Sequence, residues 1–177
     1  MKKISLLTIV SIALSTLIPT QSIKTMEQNN NPQISESREN NALFKAVIDY
    51  NVPAAIRALQ RGADINTQSF SCIYRHTPLH LAVMMGHDKM VDTLISHKAN
   101  SNIQSSDGST PLILAASGTF ANLYIIKEII CAGADIEIKD HNNRTAFEQI
   151  KTDYVRTVFL NAVAERDNKI KALKAHL

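Results

Sequence analysis

The segment Thr77-Pro78-Leu79-His80-Leu81-Ala82 returns 33 residues later as Thr110-Pro111-Leu112-Ile113-Leu114-Ala115. A fixed period in the thirties is typical of repeat arrays, in which each unit buries its apolar face only against its neighbours. Thr77 carries the hydroxyl that caps a helix N-terminus, and Pro78 suits the first helical position, where the missing N–H costs nothing. The two copies therefore predict a short inner helix in each of two successive units.

A second block alternates with the first. In successive units it reads Gly62-Ala63-Asp64-Ile65-Asn66, Lys98-Ala99-Asn100 and Gly133-Ala134-Asp135. Before each copy, apolar residues spaced three and four apart predict an outer helix. A glycine after such a helix supplies the left-handed conformation of a C-terminal cap, so Lys98 in place of glycine predicts local strain. Gly86 predicts the same ending for the inner helix of the second unit.

These two blocks resemble the hallmarks of the ankyrin repeat family, and the resemblance covers residues 41–163. It implies an all-α fold, an ankyrin-repeat solenoid of about four helix-turn-helix repeats with short loop fingers. It also implies that His80 makes a hydrogen bond to Thr77 and that His87 is structural. The residues to which it gives a structural role in the repeat motif are Gly62, Thr77, Pro78, His80, Thr110, Pro111 and Gly133.

Four segments depart from that pattern. Asn41-Ala42-Leu43-Phe44 replaces the Thr-Pro block in the first repeat, which predicts a capping unit. The loop from Gly62 to Thr77 is three residues longer than its counterparts, and repeat three carries about two extra residues around Gly118-Thr119-Phe120-Ala121. In repeat four, Phe147-Glu148-Gln149-Ile150 predicts a more polar inner helix, as suits a C-terminal cap that faces water.

The N-terminus predicts a secretory signal peptide over residues 1–22. Lys2 and Lys3 supply its positive charge, and residues 4–18 form an uncharged apolar stretch that is short for a membrane span. The alternative is an uncleaved N-terminal membrane anchor. Residues 23–40 are rich in Asn, Gln and Ser, and they predict a flexible linker. The Lys-Lys start is bacterial in type, so we expect export to the periplasm or secretion, without stable membrane insertion after cleavage.

Residues 164–177 predict a basic helical tail behind the repeat domain. Its charged residues are interleaved with two apolar ones: Arg166, Lys169, Ile170, Lys171, Leu173 and Lys174. A solvated helix is the simplest interpretation, and contact with a membrane surface or an acidic partner is the alternative. The net charge of +3 over 177 residues falls to +1 without residues 1–22, so the sequence offers no phosphate-binding footprint and predicts no nucleic-acid partner.

No motif for catalysis stands out. The sequence has no G-x-S-x-G elbow, Gly-rich phosphate loop or C-x-x-C pair, so we expect neither enzymatic activity nor a cofactor. His76 and His80 are four residues apart, but His76 precedes the helix start and no third ligand is evident, so we expect no metal. Cys72 and Cys131 fall too far apart in a stack to bridge within one molecule. A monomer is expected, with a disulfide-linked dimer through Cys72 as the alternative.

The resemblance implies that partners meet the loop tips and the exposed ends of the inner helices. Aromatic residues and Arg at such places are the commonest interface anchors. The candidate partner-binding residues are Phe70, Tyr74, Arg75, Met84, Met85, Ser106, Ser117, Phe120, His141 and Arg144, with Ser109 beside them. The opposing interpretation is that Phe70 and Tyr74 fold back onto the loop and that Met85 packs inside the stack.

The sequence thus predicts a non-catalytic protein-protein interaction module that is exported from the cytoplasm. Ankyrin proteins of host-associated bacteria often act on host proteins, so the resemblance implies a host protein as one class of partner and an effector as one role. The alternatives are a periplasmic accessory protein that stabilises a partner enzyme or binds a ligand, and an inhibitor or toxin with hidden catalysis.

Overall fold

A computed structural model describes residues 32–69, 74–118 and 122–175, with side chains from residue 38 onward. Glu36–Leu177 form one compact unit. Seven α-helices and one 3-10 turn account for the regular structure of the described residues, none of which lies in a β-strand. In chain order these are α1 Pro32–Ile48, α2 Val52–Gln60, α3 Pro78–Met84, α4 Asp88–Ser96, α5 Pro111–Ser117, α6 Leu123–Cys131, the 3-10 turn Phe147–Gln149 and α7 Asp153–Ala175.

The helices form two stacked layers. In the inner layer α3 packs on α5, and α5 packs on the 3-10 turn. In the outer layer α2 packs on α4, α4 on α6 and α6 on α7, while α3 packs on α4 and α5 on α6 within their repeats. Leu79 and Leu112 are each 1% exposed, so the repeated leucines lie in the core as predicted. The solenoid predicted from the repeat is confirmed.

The helix starts follow the predicted chemistry. The hydroxyl of Thr77 accepts from the His80 N–H, and that of Thr110 accepts from the Ile113 N–H, so both threonines are N-caps. The outer helices α2 and α6 use asparagine for the same purpose: the Asn51 side chain accepts from the Ala54 N–H at 3.0 Å, and that of Asn122 accepts from the Tyr124 N–H at 3.1 Å. These bonds satisfy backbone donors that have no partner inside the helix. The outer helix α4 begins after His87 without a side-chain cap.

The helix ends also follow the sequence. Gly62, Gly86 and Gly133 all have positive φ, between +67° and +95°, immediately after a helix. Lys98 occupies the matching place after α4 with φ +69°, a conformation that costs a residue with a Cβ more than it costs glycine. The strain predicted for Lys98 is therefore present in the backbone.

Three expectations need correction. The flexible linker predicted through residue 40 is wrong for residues 32–40, because α1 already begins at Pro32; residues 23–31 lie outside the described part. The basic tail is not a separate element, because α7 runs without a break from Asp153 to Ala175 and packs on α6. The polar inner helix of repeat four shortens to one 3-10 turn, Phe147–Gln149.

Within the described residues, no helix is both long enough and apolar enough to cross a membrane. The predicted signal peptide over residues 1–22 falls in the part of the chain that is not described. Export therefore remains a prediction.

Candidate partner-binding surface

Three loop fingers follow the outer helices and lead into the next repeat. We call them finger 1 (residues 69–76), finger 2 (residues 105–109) and finger 3 (residues 140–144). In each finger the N–H of the first residue donates to the carbonyl oxygen of the last across 2.9 Å. Finger 1 is three residues longer than the others, as the sequence predicts, and its residues 70–73 lie outside the described part.

An aspartate organises finger 2. The Asp107 carboxylate accepts from the Ser105 hydroxyl at 2.5 Å, the Ser109 N–H at 3.2 Å and the Ser109 hydroxyl at 3.0 Å. Partial burial opposes ionisation of this carboxyl, but the bonds from Ser105 and Ser109 outweigh that effect, and the pKa of Asp107 is lowered. The finger is thus held in one shape by a charged acceptor at its centre.

Finger 3 is built in the same way around Asp140. One carboxylate oxygen accepts from the backbone N–H groups of Asn142 and Arg144, each at 2.9 Å, and the other pairs with the Arg144 guanidinium at 3.0 Å. Burial opposes ionisation here too, yet these bonds hold the pKa of Asp140 below its ordinary value. Arg144 is therefore a structural partner of Asp140 as well as a half-exposed side chain at the finger tip.

Backbone hydrogen bonds join each finger to the next. The Ser106 N–H donates to the Tyr74 carbonyl oxygen at 2.8 Å, and the His141 N–H donates to the Asp107 carbonyl oxygen at 3.1 Å. Gly108, at φ +80°, permits the second contact, because a Cβ there would lie 2.6 Å from the His141 backbone nitrogen. Fingers 1, 2 and 3 consequently form one connected row.

Amide side chains add a second set of links that the sequence analysis missed. Gln68 Nε2 donates to the Gln104 carbonyl oxygen at 3.0 Å, and Gln104 Nε2 donates to the Lys139 carbonyl oxygen at 2.9 Å. Asn66 and Asn102 likewise each accept from a backbone N–H of the following repeat at 2.8 Å. The sequence does contain a signal for these links, because Asn66 and Gln68 recur 36 residues later as Asn102 and Gln104.

Three aromatic rings lie stacked at the base of finger 1. The Tyr74 ring lies 5.7 Å from that of His76, which lies 5.5 Å from that of His80. His80 is fully buried; its Nδ1 bonds to the Thr77 hydroxyl at 2.7 Å, as the family resemblance implies, and its Nε2 lies 3.1 Å from the Ser109 carbonyl oxygen. Burial lowers the pKa of His80 to about 4 and also lowers the pKa of His76. Both histidines are neutral at pH 7.

Two methionines lie at the opposite end of α3 from the fingers. The side chains of Met84 and Met85 are 56% and 46% exposed, so Met85 does not pack inside the stack. With Leu114 and Ala115 of the next repeat they line a groove of about 260 Å³ between the ends of α3 and α5. Met is flexible and polarizable, which suits a surface that must fit a partner.

The described candidate residues fall into two groups. The finger bonds bring together Tyr74, Ser106 and His141, all exposed, while Met84 and Met85 lie about 10 Å away along α3. Tyr74 stacks on His76 yet remains 51% exposed, so folding back onto the loop does not hide it. We call the exposed tips of the fingers and the exposed end of α3 the candidate face; its described members are Tyr74, Arg75, Met84, Met85, Ser106, His141 and Arg144.

Some expectations for individual residues change. Ser109 is wrong as a contact residue, because it is 5% exposed and both its hydroxyl and its N–H bond to Asp107. Ser117 is half-buried and its hydroxyl donates to the Leu114 carbonyl oxygen at 3.2 Å, which leaves little of it for a partner. Phe70, Cys72 and Phe120 lie outside the described residues.

His87 has the structural role that the resemblance implies. Its Nδ1 lies 3.1 Å from the Val47 carbonyl oxygen, and its ring packs on Tyr50 with a centroid separation of 4.3 Å. It thereby ties repeat two to the end of α1. Among the described residues, no three His, Cys, Asp or Glu side chains are placed to hold a metal ion.

Comparison with known proteins agrees with the stacked repeats. The family model described as ankyrin repeats in three copies matches residues 13–105 and 43–140. The chain therefore belongs to the ankyrin repeat family. The ankyrin repeat domain of Bcl-3, a member of the IkappaB family, is similar in structure with a TM-score of 0.62 and 28% identity, covering 67% of this chain and 50% of that one.

Similar sequences come from varied sources. An ankyrin repeat protein of Fowlpox virus (strain NVSL) is 42% identical over 83 residues, which are 47% of this chain and 24% of the viral protein. The 2-5A-dependent ribonuclease of Homo sapiens is 34% identical over 97 residues, 50% of this chain and 13% of the enzyme. Ankyrin repeat and SOCS box protein 6 of Mus musculus is 31% identical over 122 residues, 68% and 28% of the respective chains. This chain thus spans less than a third of each relative.

The family typically provides non-catalytic interaction modules that bind protein partners. The matches cover 13% to 28% of these relatives. What the comparisons support is therefore a protein-binding scaffold.

Proposed function

We propose that this protein is a non-catalytic binding module that acts outside the cytoplasm and holds a partner protein on the candidate face. One observation carries the proposal: apolar side chains remain exposed on a rigid frame. Tyr74, Met84 and Met85 are 46% to 56% exposed, while the fingers and helices beneath them are fixed by hydrogen bonds and a buried apolar core. A rigid surface loses little conformational entropy on binding, so exposed anchors contribute more of their contact energy to affinity.

The export part of the proposal has separate support. Residues 1–22 combine a positive start with a short apolar stretch, the layout of a secretory signal. Fractionation of the cells together with mass determination of the mature N-terminus tests it. A chain found in the cytoplasm with its first 22 residues intact would contradict export without bearing on the candidate face.

A photo-crosslinking experiment tests the candidate face. A photoreactive amino acid replaces Met84 in the full-length protein, and in a second variant it replaces Tyr154, which is 69% exposed on α7. We expect a discrete protein adduct from position 84 after irradiation of the native cells. The adduct should fall at least about tenfold when Met85→Glu is added, because a buried interfacial charge costs more than 1.4 kcal/mol.

Position 154 is the control, because Tyr154 is exposed but lies on α7, outside the candidate face. Equal adducts from positions 84 and 154 would indicate random collision and would contradict the proposal. An adduct at 84 that Met85→Glu leaves unchanged would also contradict it. Circular dichroism of the Met85→Glu variant should be unaltered, because the side chain is already in contact with water.

A further inference from the structure

The second half of α7 extends past its packing partner. α7 has 23 residues, or roughly 34 Å, whereas α6 has 9 residues, or roughly 14 Å, and ends at Cys131. Phe159 and Ala162 of α7 are fully buried in the repeat core. A hydrogen bond from Arg166 Nη1 to the Ala134 carbonyl oxygen at 3.1 Å joins α7 to the preceding repeat. We call residues 167–175 the overhang.

The apolar stripe of α7 continues along the overhang. Ile170 and Leu173 follow Phe159, Ala162 and Arg166 at helical spacings of three and four. They therefore lie on the same face of α7 as the buried residues Phe159 and Ala162. Yet Ile170 is 43% exposed and Leu173 is 63% exposed. The stripe loses its cover because α6 has ended.

A groove of about 310 Å³ occupies the place where that cover would continue. One wall is the end of α6 and its cap, and the other is α7 from Glu165 to Leu173. Apolar atoms predominate on its floor, where Ala132 and Gly133 present no long side chain. The groove shares no residue with the candidate face.

The charges around this groove are unbalanced. Glu165 is paired with Lys127 at 3.1 Å, and Asp167 is paired with Arg166 at 3.0 Å, so both acids are neutralised by this chain. By contrast, no ion pair in the described part of the chain uses any of the three overhang lysines, Lys169, Lys171 and Lys174. Lys169 lines the groove itself, and Lys171 and Lys174 follow it on the same helix. An apolar groove with unpaired positive charge beside it is complementary to an acidic amphipathic surface.

We propose that the overhang groove binds an acidic amphipathic helix of a partner protein. The partner's apolar stripe packs on Ile170 and Leu173 and takes the place that α6 leaves empty, while its carboxylates face the overhang lysines. This is the helix-in-groove mode of recognition, in which apolar anchors three and four residues apart enter a preformed trough. A second site of this kind lets one small protein join two partners.

Two other occupants fit less well. A second copy of this chain would bring the same three overhang lysines face to face, and like charges in contact oppose association. A flat anionic membrane would meet the lysines but would not fill a trough whose floor is the end of α6. A helix about 10 Å across matches such a trough.

Alkylation of Cys131 provides the measurement, because this thiol lines the groove and is exposed. The full-length protein carries Cys72→Ser, so that Cys131 is the sole thiol. Burial and the carboxylates of Glu165 and Glu128 raise the pKa of Cys131, so the reaction is followed at about pH 8.5. The probe is an 18-residue synthetic helix with Leu on one face and Glu on the other; a second peptide has Lys in place of every Glu.

We expect the Glu peptide to slow alkylation at least about tenfold at saturation and the Lys peptide to leave the rate unchanged. The double variant Ile170→Ala/Leu173→Ala should raise the apparent Kd of the Glu peptide at least about tenfold, as should Lys169→Glu/Lys174→Glu. Leu160→Ala changes an exposed leucine elsewhere on α7, and Lys89→Glu changes a lysine on α4. Both should leave the Kd within about twofold.

Several outcomes would overturn the proposal. They are equal protection by the two peptides, an effect of Leu160→Ala as large as that of the groove variants, or no protection at about 1 mM Glu peptide. Stronger protection by anionic phospholipid vesicles than by the Glu peptide would assign the overhang to a membrane surface. Protection that grows with the protein's own concentration would assign it to a second copy.

Discussion

At the scale of the residue, His80 joins its own helix cap to the next finger. It lies in the core, caps its own helix through Thr77 and reaches finger 2 through the Ser109 carbonyl oxygen. The Thr77 N–H donates to Nδ1 at 3.2 Å, so Nδ1 is an acceptor and Nε2 carries the proton that goes to Ser109. In this neutral tautomer Nδ1 accepts from Thr77 and Nε2 donates to Ser109, while burial of the ring disfavours a second proton.

The low pKa of His80 predicts that the folded protein loses stability in mild acid. The pKa of His80 is about 4 in the folded chain and near 6.5 in the unfolded chain, so the unfolded state binds more protons between these values. The free energy of unfolding should therefore fall as the pH drops from about 7 to 4.5, by up to about 3 kcal/mol from His80. His76 acts in the same direction, whereas Asp107 and Asp140 lose their stabilising charge only at lower pH.

Urea unfolding at pH 7.5, 6 and 5 measures this dependence, with His80→Gln as the comparison. The variant loses stability at every pH but should show a flatter dependence on pH, because glutamine does not titrate. Parallel pH profiles for the two proteins would mean that His80 does not cause the effect.

At the scale of the element, the sequence decides where helices end. Gly62 and Gly133 supply the left-handed residue after α2 and α6, and the chain turns there without steric conflict. α4 has to make the same turn with Lys98, whose φ is +69°. The helix keeps its length because tertiary packing of Met90 and Leu94 outweighs the local strain.

Replacement of Lys98 by glycine should relieve that strain. We expect Lys98→Gly to stabilise the domain by about 1 kcal/mol, since the left-handed conformation costs a residue with a Cβ about that much. Thermal unfolding by circular dichroism should show a rise of several degrees in Tm.

Lys98→Ala separates this effect from the loss of charge, because alanine keeps the Cβ and removes the amine. We expect Lys98→Ala to leave the free energy of unfolding no higher than in the unchanged protein. If Lys98→Ala stabilises as much as Lys98→Gly, the charge and not the backbone is responsible.

For the molecule as a whole, stability is a sum over repeats and the interfaces between them. α5 packs against α3, α6 and the 3-10 turn, so repeat three holds both of its neighbours in place. A defect at the centre of repeat three should therefore destabilise both neighbouring repeats. The interrepeat hydrogen bonds of Gln104 and Asn102 extend this coupling from the core to the fingers.

Leu112→Ala tests the coupling. Leu112 is 1% exposed on α5, and its truncation leaves a cavity, so we expect a cost of about 2–5 kcal/mol and partial unfolding of so short an array. Urea titrations followed by circular dichroism measure the cost. Leu160→Ala, at a 55% exposed site, should cost less than about 1 kcal/mol. A cost for Leu112→Ala no greater than for Leu160→Ala would contradict an aliphatic core as the source of stability.

Much of the fold could be predicted because its signals are local. The threonine caps, the glycines after the helices and the apolar spacing each act within a few residues, and the period of the repeat carries them across the domain. The linker prediction failed at residues 32–40 because polar composition says little about a helix held by partners such as Asp64, whose N–H donates to Asn40. The candidate face was predicted only in part, since the burial of Ser109 and the partial burial of Ser117 depend on which side chains come close in space.

The sequence by itself determined that this protein is a stack of helix pairs, because each repeat encodes its own caps, turns and buried stripe. Only the tertiary structure decided that the fingers bond into one row, that His80 bridges to Ser109 and that α7 extends past the end of α6. Those features depend on contacts between residues more than 28 positions apart in the chain. A local sequence pattern does not indicate which distant residues come into contact.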